Sequence, residues 1–345
     1  MAGSVRQKFE LTGSQAKAPA PPSAARSADA VRMSACATIL AAFAMLLCAS
    51  AQVEQAPASY RIAVDVDLVV LPIAVHDRQG RYVADLLQQD FEVYEDRLPQ
   101  RIKLFRHEDI PVIAGLLIDH SGSMRPKLAE VTAGARTFVQ FSNPQDQMFV
   151  VNFNEKVSLG LPEGISFSAD ANELERAIWR APAAGETALY DAIIEALKRL
   201  QTGNRDKKVL IVISDGADNA SVHRLAEVLE TAEQSGAIIY AVGLFEPDDH
   251  DANPKVLSRL AKATGGEAFF PGELSEVVAI CESIAHDIRN QYTIGYFASN
   301  SLRNGAYRTV RVVARAAGQR KLVVRTRAGY IAGAASPPEK GVGVK

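Results

Sequence analysis

Hydrophobic positions change their spacing twice along this chain. Between Tyr60 and Arg106 they recur every second residue. Ile62, Val64, Val66, Leu68 and Val70 alternate with Arg61, Ala63, Asp65, Asp67 and Val69, the pattern of a half-buried strand. Turn-forming clusters at Asp77–Gly80 and Glu95–Pro99 then mark off short strands expected at 81–84, 91–95 and 100–106. From Ile110 to about Asn290 the rhythm becomes strand then helix. Continuous apolar runs at 112–118, 147–153, 208–214 and 237–244 read as buried parallel strands. Between them lie segments with the three-and-four spacing of amphipathic helices, such as Leu189, Ile193, Ile194, Leu197 and Leu200. After Gln291 the period of two returns in three strands: Tyr292, Ile294, Tyr296; Val310, Val312, Ala314; and Leu322, Val324, Thr326.

Alternating buried strands and helices specify an α/β, doubly wound, mostly parallel sheet. Each flanking set of strands is marginal as a sheet by itself. The economical arrangement pairs them into one small antiparallel β-sandwich, its first part at 60–108 and its second at 291–332, with the α/β domain at 110–290 inserted between. The alternative is two separate extensions packed on the α/β body. Residues 333–345, a Gly/Pro/Lys tail, are expected to be disordered.

Upstream, residues 35–51 (ACATILAAFAMLLCASA) are apolar or small and uncharged, follow Arg26 and Arg32, and end in Ala49-Ser50-Ala51. That small-x-small ending is the pattern of a signal-peptide cleavage site. The segment reads as a signal peptide or, uncleaved, as an N-terminal anchor. The protein is therefore expected to be exported, whether periplasmic, secreted or associated with the cell envelope, and to touch a membrane only if the anchor stays. Residues 1–34 are either a leader too rich in Ala, Pro and Ser to order itself, or the result of a start assigned at Met1 instead of Met33.

Composition narrows the partners. The 345 residues leave room for about two domains. Lys plus Arg total 38 against 40 for Asp plus Glu, so no positive surplus gathers phosphates and nucleic acid is not an expected partner. Two of the three cysteines, Cys36 and Cys48, lie in the export segment. Cys281 alone supports neither a disulfide nor a cysteine metal site. Cys281 and Trp179 sit in helical patterns and are expected to be packing residues.

Chemistry concentrates at strand ends. The first buried strand runs into Asp119-His120-Ser121-Gly122-Ser123-Met124, with a helix expected from about Pro126. Open α/β sheets place ligands outside the carboxyl ends of their strands, and two hydroxyls with a carboxylate are hard oxygen donors suited to Mg²⁺ or Mn²⁺ and not to zinc. Gly185-Glu186-Thr187 enters a helix and offers a third hydroxyl. Ile213-Ser214-Asp215-Gly216 ends another buried strand with a second carboxylate. One D-x-S-x-S is common and reads equally as a helix cap; three such pieces, each at a strand end or helix entry, point to a metal site.

The stretch 110–290 resembles a von Willebrand factor type A domain, and the three segments match its metal-ion-dependent adhesion site. The resemblance implies that Ser121, Ser123 and Thr187 coordinate the cation by hydroxyl, while Asp119 and Asp215 hold it directly or through water. His120 in a variable slot, and Glu186 where a second glycine is common, depart from the pattern without removing a ligand. The flanking pieces Asp85-Leu86, Glu92–Asp96, Gln291–Tyr296 and Gly329-Tyr330 resemble the VWFA-related proteins described from acidobacteria. A divalent cation held by three neutral hydroxyls and two carboxylates keeps one position for an incoming acid.

The expected function is thus an exported, non-enzymatic binding or adhesion module that captures an Asp or Glu of a protein partner. The alternative is a structural or assembly subunit whose metal only staples loops. A hydrolase would need a base: Ser121 lacks a G-x-S-x-G elbow, and His76, His107, His223, His250 and His286 show no catalytic spacing. Around the site, Asp218, Asn219, Glu186, Asp248 and Asp249 are candidate outer partners, with a helix cap for the segment at Ser221 the simpler role for Asp218 and Asn219 and a solvated loop for the run at 246–251.

Overall fold

The computed structural model describes residues 68–245, 252–300, 304–315 and 322–333. The leader, the 35–51 segment, the loop bearing Asp248 and Asp249, and the tail from 334 onward lie outside the described residues. Among the described residues no helix is long and apolar enough to cross a membrane.

The described residues open with β1 (Leu68–His76), whose buried residues include Val69, Leu71, Ile73 and Val75; the expected strand positions Ile62, Val64 and Val66 lie outside the described residues. The expected strand at 81–84 is reduced to a single bridge between Tyr82 and His76. β2 (Phe91–Glu95) turns back on β3 (Leu98–Gln100) through Asp96 and Arg97, both with positive φ (47° and 70°), a two-residue hairpin turn matched to strand twist. The single strand expected at 100–106 is broken at Arg101. β3 stays beside β2, while β4 (Ile102–Arg106) pairs in the other sheet, because the chain crosses between layers there.

The α/β body follows. β5 (Val112–Asp119) is buried at every position, as a strand covered on both faces must be. A short 3-10 turn over Gly122–Lys127 leads into α1 (Leu128–Phe141), so the regular helix starts two residues later than expected. Next come β6 (Gln147–Phe153), β7 (Val157–Leu159), α2 (Ala171–Ile178), α3 (Leu189–Leu200) and β8 (Lys207–Ser214). α4 (Leu225–Ser235), β9 (Ile238–Gly243), α5 (Pro254–Thr264), β10 (Ala268–Phe269) and α6 (Glu276–Arg289) complete it. The sheet order is β10-β9-β8-β5-β6-β7, parallel except for β7. Strands are added on one side of β5 (β6) and then on the other (β8, β9), so the ends of β5 and β8 border the crevice where such sheets take ligands.

β11 (Tyr292–Phe297), β12 (Tyr307–Ala314) and β13 (Val323–Arg325) are the three expected late strands, and β14 (Gly329–Ile331) is a fourth. They interleave with the early ones. One sheet runs β13-β1-β11-β4 and the other β14-β12-β2-β3. Their facing side chains share one core, including Leu71, Ile73, Phe91, Tyr292, Ile294, Tyr296 and Val312. The flanking strands thus build a sandwich with the α/β body inserted. Inside it Glu95 is buried, and its carboxylate accepts hydrogen bonds from the hydroxyls of Tyr296 and Tyr330, each at 2.8 Å.

Both links between sandwich and body are tied down. Arg289 donates to Asp109 at 2.9 Å, His107 stacks on Tyr292 with centroids 4.4 Å apart, and Arg325 of β13 pairs with Asp287 of α6 and with Glu267. Cys281 is buried on α6 as expected, but Trp179 is 52% exposed where α2 ends.

Candidate metal centre

Asp119 is the last residue of β5 and is fully buried. One carboxylate oxygen accepts the Ser121 amide at 2.8 Å and the other the Ser214 hydroxyl at 2.6 Å. Burial pushes its pKa up to about 6, a rise reinforced by the charge of Asp215 and opposed by the Ser214 and Ser121 hydrogen bonds. A nearby cation would reverse that penalty.

The chain then turns so that Ser121 and Ser123 present their hydroxyls 3.2 Å apart, and Ser123 Oγ donates to Asp215 Oδ2 at 2.5 Å. Asp215 follows the end of β8. Its other oxygen accepts the Ala217 amide at 3.1 Å, and Gly216, at φ +79°, takes the turn that follows. Asp119, Ser121 and Asp215 are buried, whereas Ser123 is exposed, so the cluster opens to solvent on the Ser123 side.

Thr187 is buried at the entry to α3. Asn219 grips it on both sides: the Thr187 amide donates to Asn219 Oδ1 at 2.8 Å, and the Asn219 amide donates to the Thr187 carbonyl at 3.0 Å. Its loop meets the serine loop where Gly122 N donates to Gly185 O at 3.2 Å. Gly185 has φ +90°, and the Glu155 carboxylate occupies the space a Cβ would need. The five sequence-predicted residues therefore lie on three loops at one end of the sheet: hydrogen bonds link Asp119, Ser121, Ser123 and Asp215 directly, and Thr187 joins through the Gly122–Gly185 and Asn219 contacts of its loop.

The outer candidates divide. Asp218 accepts the Tyr190 amide at 3.1 Å and the Ser221 hydroxyl at 2.5 Å, so it caps the first turn of α3; burial raises its pKa. Glu186 is exposed. Asp248 and Asp249 are outside the described residues. The sequence pattern assigns no role to Ser214, Glu155 or Arg125, and it offers Asn219, with Asp218, only as an outer partner or a helix cap for the segment at Ser221. Ser214 had one available signal: a polar residue closing the run Val209–Ile213 directly before Asp215.

The donor set fits a hard divalent cation. Neighbouring oxygens of an octahedron with bonds of about 2.1 Å lie ~3.0 Å apart, and the Ser121–Ser123 and Ser123–Asp215 separations of 3.2 and 2.5 Å straddle that value. Among the described residues no group of three or more His, Cys, Asp or Glu offers a competing site. The His120 ring is buried and both its nitrogens lack a close partner. Burial is the main cause that keeps it below its usual pKa, against weaker opposing contributions from Asn152 and the Ile178 and Ala181 backbone. Ser121 Oγ faces another hydroxyl, not an imidazole.

Residues 115–280 match the family model for the von Willebrand factor type A domain. Solved structures are similar to this chain at low identity. The von Willebrand factor type A protein from Catenulispora acidiphila is 15% identical, with 76% of this chain covering 74% of that one at a TM-score of 0.48. Proximal thread matrix protein 1 of the mussel byssus, in a form with a zinc-occupied MIDAS motif, is 16% identical over 53% of this chain, with a TM-score of 0.44. This chain spans about half, 49%, of that mussel protein. The vWF domain of the type V pili tip protein Mfa5 from Porphyromonas gingivalis is 14% identical over 52% of this chain and 95% of that domain, with a TM-score of 0.43. Comparison with curated proteins gives no match.

Proposed function

We propose that this chain, which carries a von Willebrand factor type A domain at residues 115–280, is an exported, non-catalytic module that binds a partner protein through a divalent cation. The observation that carries this reading is the convergence of Ser121, Ser123 and Asp215 oxygens at a point open to solvent through Ser123. Asp119 and Thr187 complete the donor set, with Mg²⁺ or Mn²⁺ the cations that suit it. Bound there, the cation supplies a Lewis-acidic position for a carboxylate of the partner. This chain's residues do the rest: Ser214 orients Asp119, Asn219 holds Thr187, and Gly216 lets the backbone leave Asp215 past the Asn253 carbonyl. Export rests on the reading of residues 35–51.

Hydrogen bonds support capture over loop-stapling. The serine and Thr187 loops are already joined through Gly122 and Gly185, and the Thr187 and β8 loops through Asn219, so no cation is needed to hold them together. Among the described residues Ser121 pairs with a hydroxyl and with no imidazole, which supports a binding role over hydrolysis.

Calorimetric titration of Mg²⁺, Mn²⁺ and Zn²⁺ into the purified protein, and into its Ser123→Ala and Asp215→Asn variants, tests the site. Saturable binding to the wild type that both variants lose is the expected result. Binding that survives both substitutions, or no binding of any of the three ions at millimolar concentration, overturns it.

A further inference from the structure

Arg125 stands two residues beyond Ser123 and is exposed, yet its guanidinium is fixed. Nε and Nη2 both donate to the Ala183 carbonyl, at 3.0 and 2.8 Å. Ala183 belongs to the loop that carries Thr187, and the same loop meets Gly122 through Gly185. The fork therefore spans the two loops that supply Ser121, Ser123 and Thr187. A guanidinium has five N–H donors. Using Nε and one N–H of Nη2 on Ala183 leaves the edge between the two Nη atoms, where a pair of parallel N–H groups fits a carboxylate. Among the described residues no carboxylate pairs with Arg125. Two acids border this loop without an ion pair to Arg125: Glu186 is exposed, and Glu155 packs on Gly185, beside Asn154, whose side-chain amide donates to the Ala184 carbonyl at 3.0 Å.

We propose that Arg125 is a second anion seat beside the cation, and that the partner presents an acidic segment with two carboxylates, one for the metal and one for this guanidinium. The inference rests on the reading of the centre as a metal-dependent capture site. A cation alone accepts any exposed Asp or Glu and discriminates poorly. A second charge at a fixed separation selects among acidic segments. Because Ala183 already immobilises the side chain, little rotamer entropy remains to be lost on binding.

The test measures, by calorimetry on the Mg²⁺-loaded full chain, the affinity of short peptides with one Asp or with two Asp at several separations. The expected result is that at least one two-Asp peptide binds about tenfold tighter than the one-Asp peptide, or ~1.4 kcal/mol. Arg125→Gln, compared at saturating Mg²⁺, brings the ratio of two-Asp to one-Asp affinity down to about one. Arg125→Lys, which keeps the charge but loses the fork, retains only part of the advantage. Two-Asp peptides no tighter than one-Asp, or an advantage undiminished in Arg125→Gln, overturns the proposal and leaves the capture reading standing. If Arg125→Gln also loses Mg²⁺, the loop has moved and Arg125→Lys decides, with an undiminished advantage again overturning the proposal. Failure of every peptide to bind the Mg²⁺-loaded wild type overturns the capture reading itself, and this proposal with it.

Discussion

Arg325, on the three-residue strand β13, pairs with Asp287, which is 2% exposed in the last helix of the α/β body. The sandwich thus reaches into its insert through a charge pair largely shielded from water. The Tyr240 hydroxyl also donates to Asp287, and His76 Nε2 lies 3.9 Å from it.

Removing only the guanidinium leaves a carboxylate buried without its counter-ion. Arg325→Leu is expected to cost about 3–5 kcal/mol, while Arg325→Leu combined with Asp287→Leu costs clearly less. Urea denaturation of the wild type, both single variants and the double variant gives the coupling. Additive losses would show that the pair does not act as a unit.

Lys207 makes the protein's stability depend on alkaline pH. Its ammonium donates to the Ile288 carbonyl. Burial, outweighing the attraction of Asp287, Asp109 and Asp146, brings its pKa down from 10.5 to about 8. Between those values the unfolded chain binds more protons than the folded one, so this group's contribution to stability improves as pH rises. Wild type is therefore expected to gain on Lys207→Met as pH goes from 7 to 10, and the pH-insensitive parts cancel in the difference. Denaturation curves whose separation stays constant over that range would contradict the assignment.

Gly216 couples fold to site. A Cβ at its φ of +79° would meet the Asn253 carbonyl oxygen at 2.7 Å. Gly216→Ala is expected to cost about 1–3 kcal/mol and to weaken Mg²⁺ binding about tenfold or more, because Asp215 must shift with it. Gly272→Ala, where a Cβ meets nothing within 4 Å, is the control that should leave both unchanged. Equal effects at the two positions would dissociate Gly216 from the site.

Cys281 reports unfolding. It is 1% exposed, its sulfur lies against the space beside Gly134, and burial pushes the thiol up to about 12. Thiolate is the reactive form, so alkylation at Cys281, followed by mass spectrometry, is expected only as denaturant opens the α/β core. Rapid labelling under native conditions would mean the α1–α6 contact opens locally.

The legible parts of this chain were those in which one residue's burial decides its neighbour's. β5, β6, β8 and β9 match the apolar runs within a residue or so, because strands covered on both faces leave no room for polar interruption. The pairing of early with late strands followed from the instability of either set alone. The break at Arg101 was not legible, since alternation is preserved on either side while the chain changes sheet. Nor was the exposure of Trp179, because a helix end can present an apolar side chain to either side. At the candidate metal centre the hydroxyl and carboxylate residues that the fold brings to one end of the sheet were readable from three short segments. Their supports were not: Ser214 reaches Asp119 across 95 positions of sequence, Asn219 reaches Thr187 across 32, and Arg125 reaches Ala183 across 58. Such partners are set by which strand ends lie side by side, and local pattern carries no record of that.

The interleaved sandwich also fixes a mechanical load path. Arg106 and Thr293, which bracket the inserted body, are cross-strand partners, and β1 and β13, near opposite ends of the described chain, are joined edge to edge. Tension applied between Leu68 and Gly333 is then carried by the interstrand bonds of the sandwich and bypasses the parallel sheet. The body with the candidate metal centre hangs from that frame as a side branch, sheltered from a pull along the chain until the sandwich itself yields.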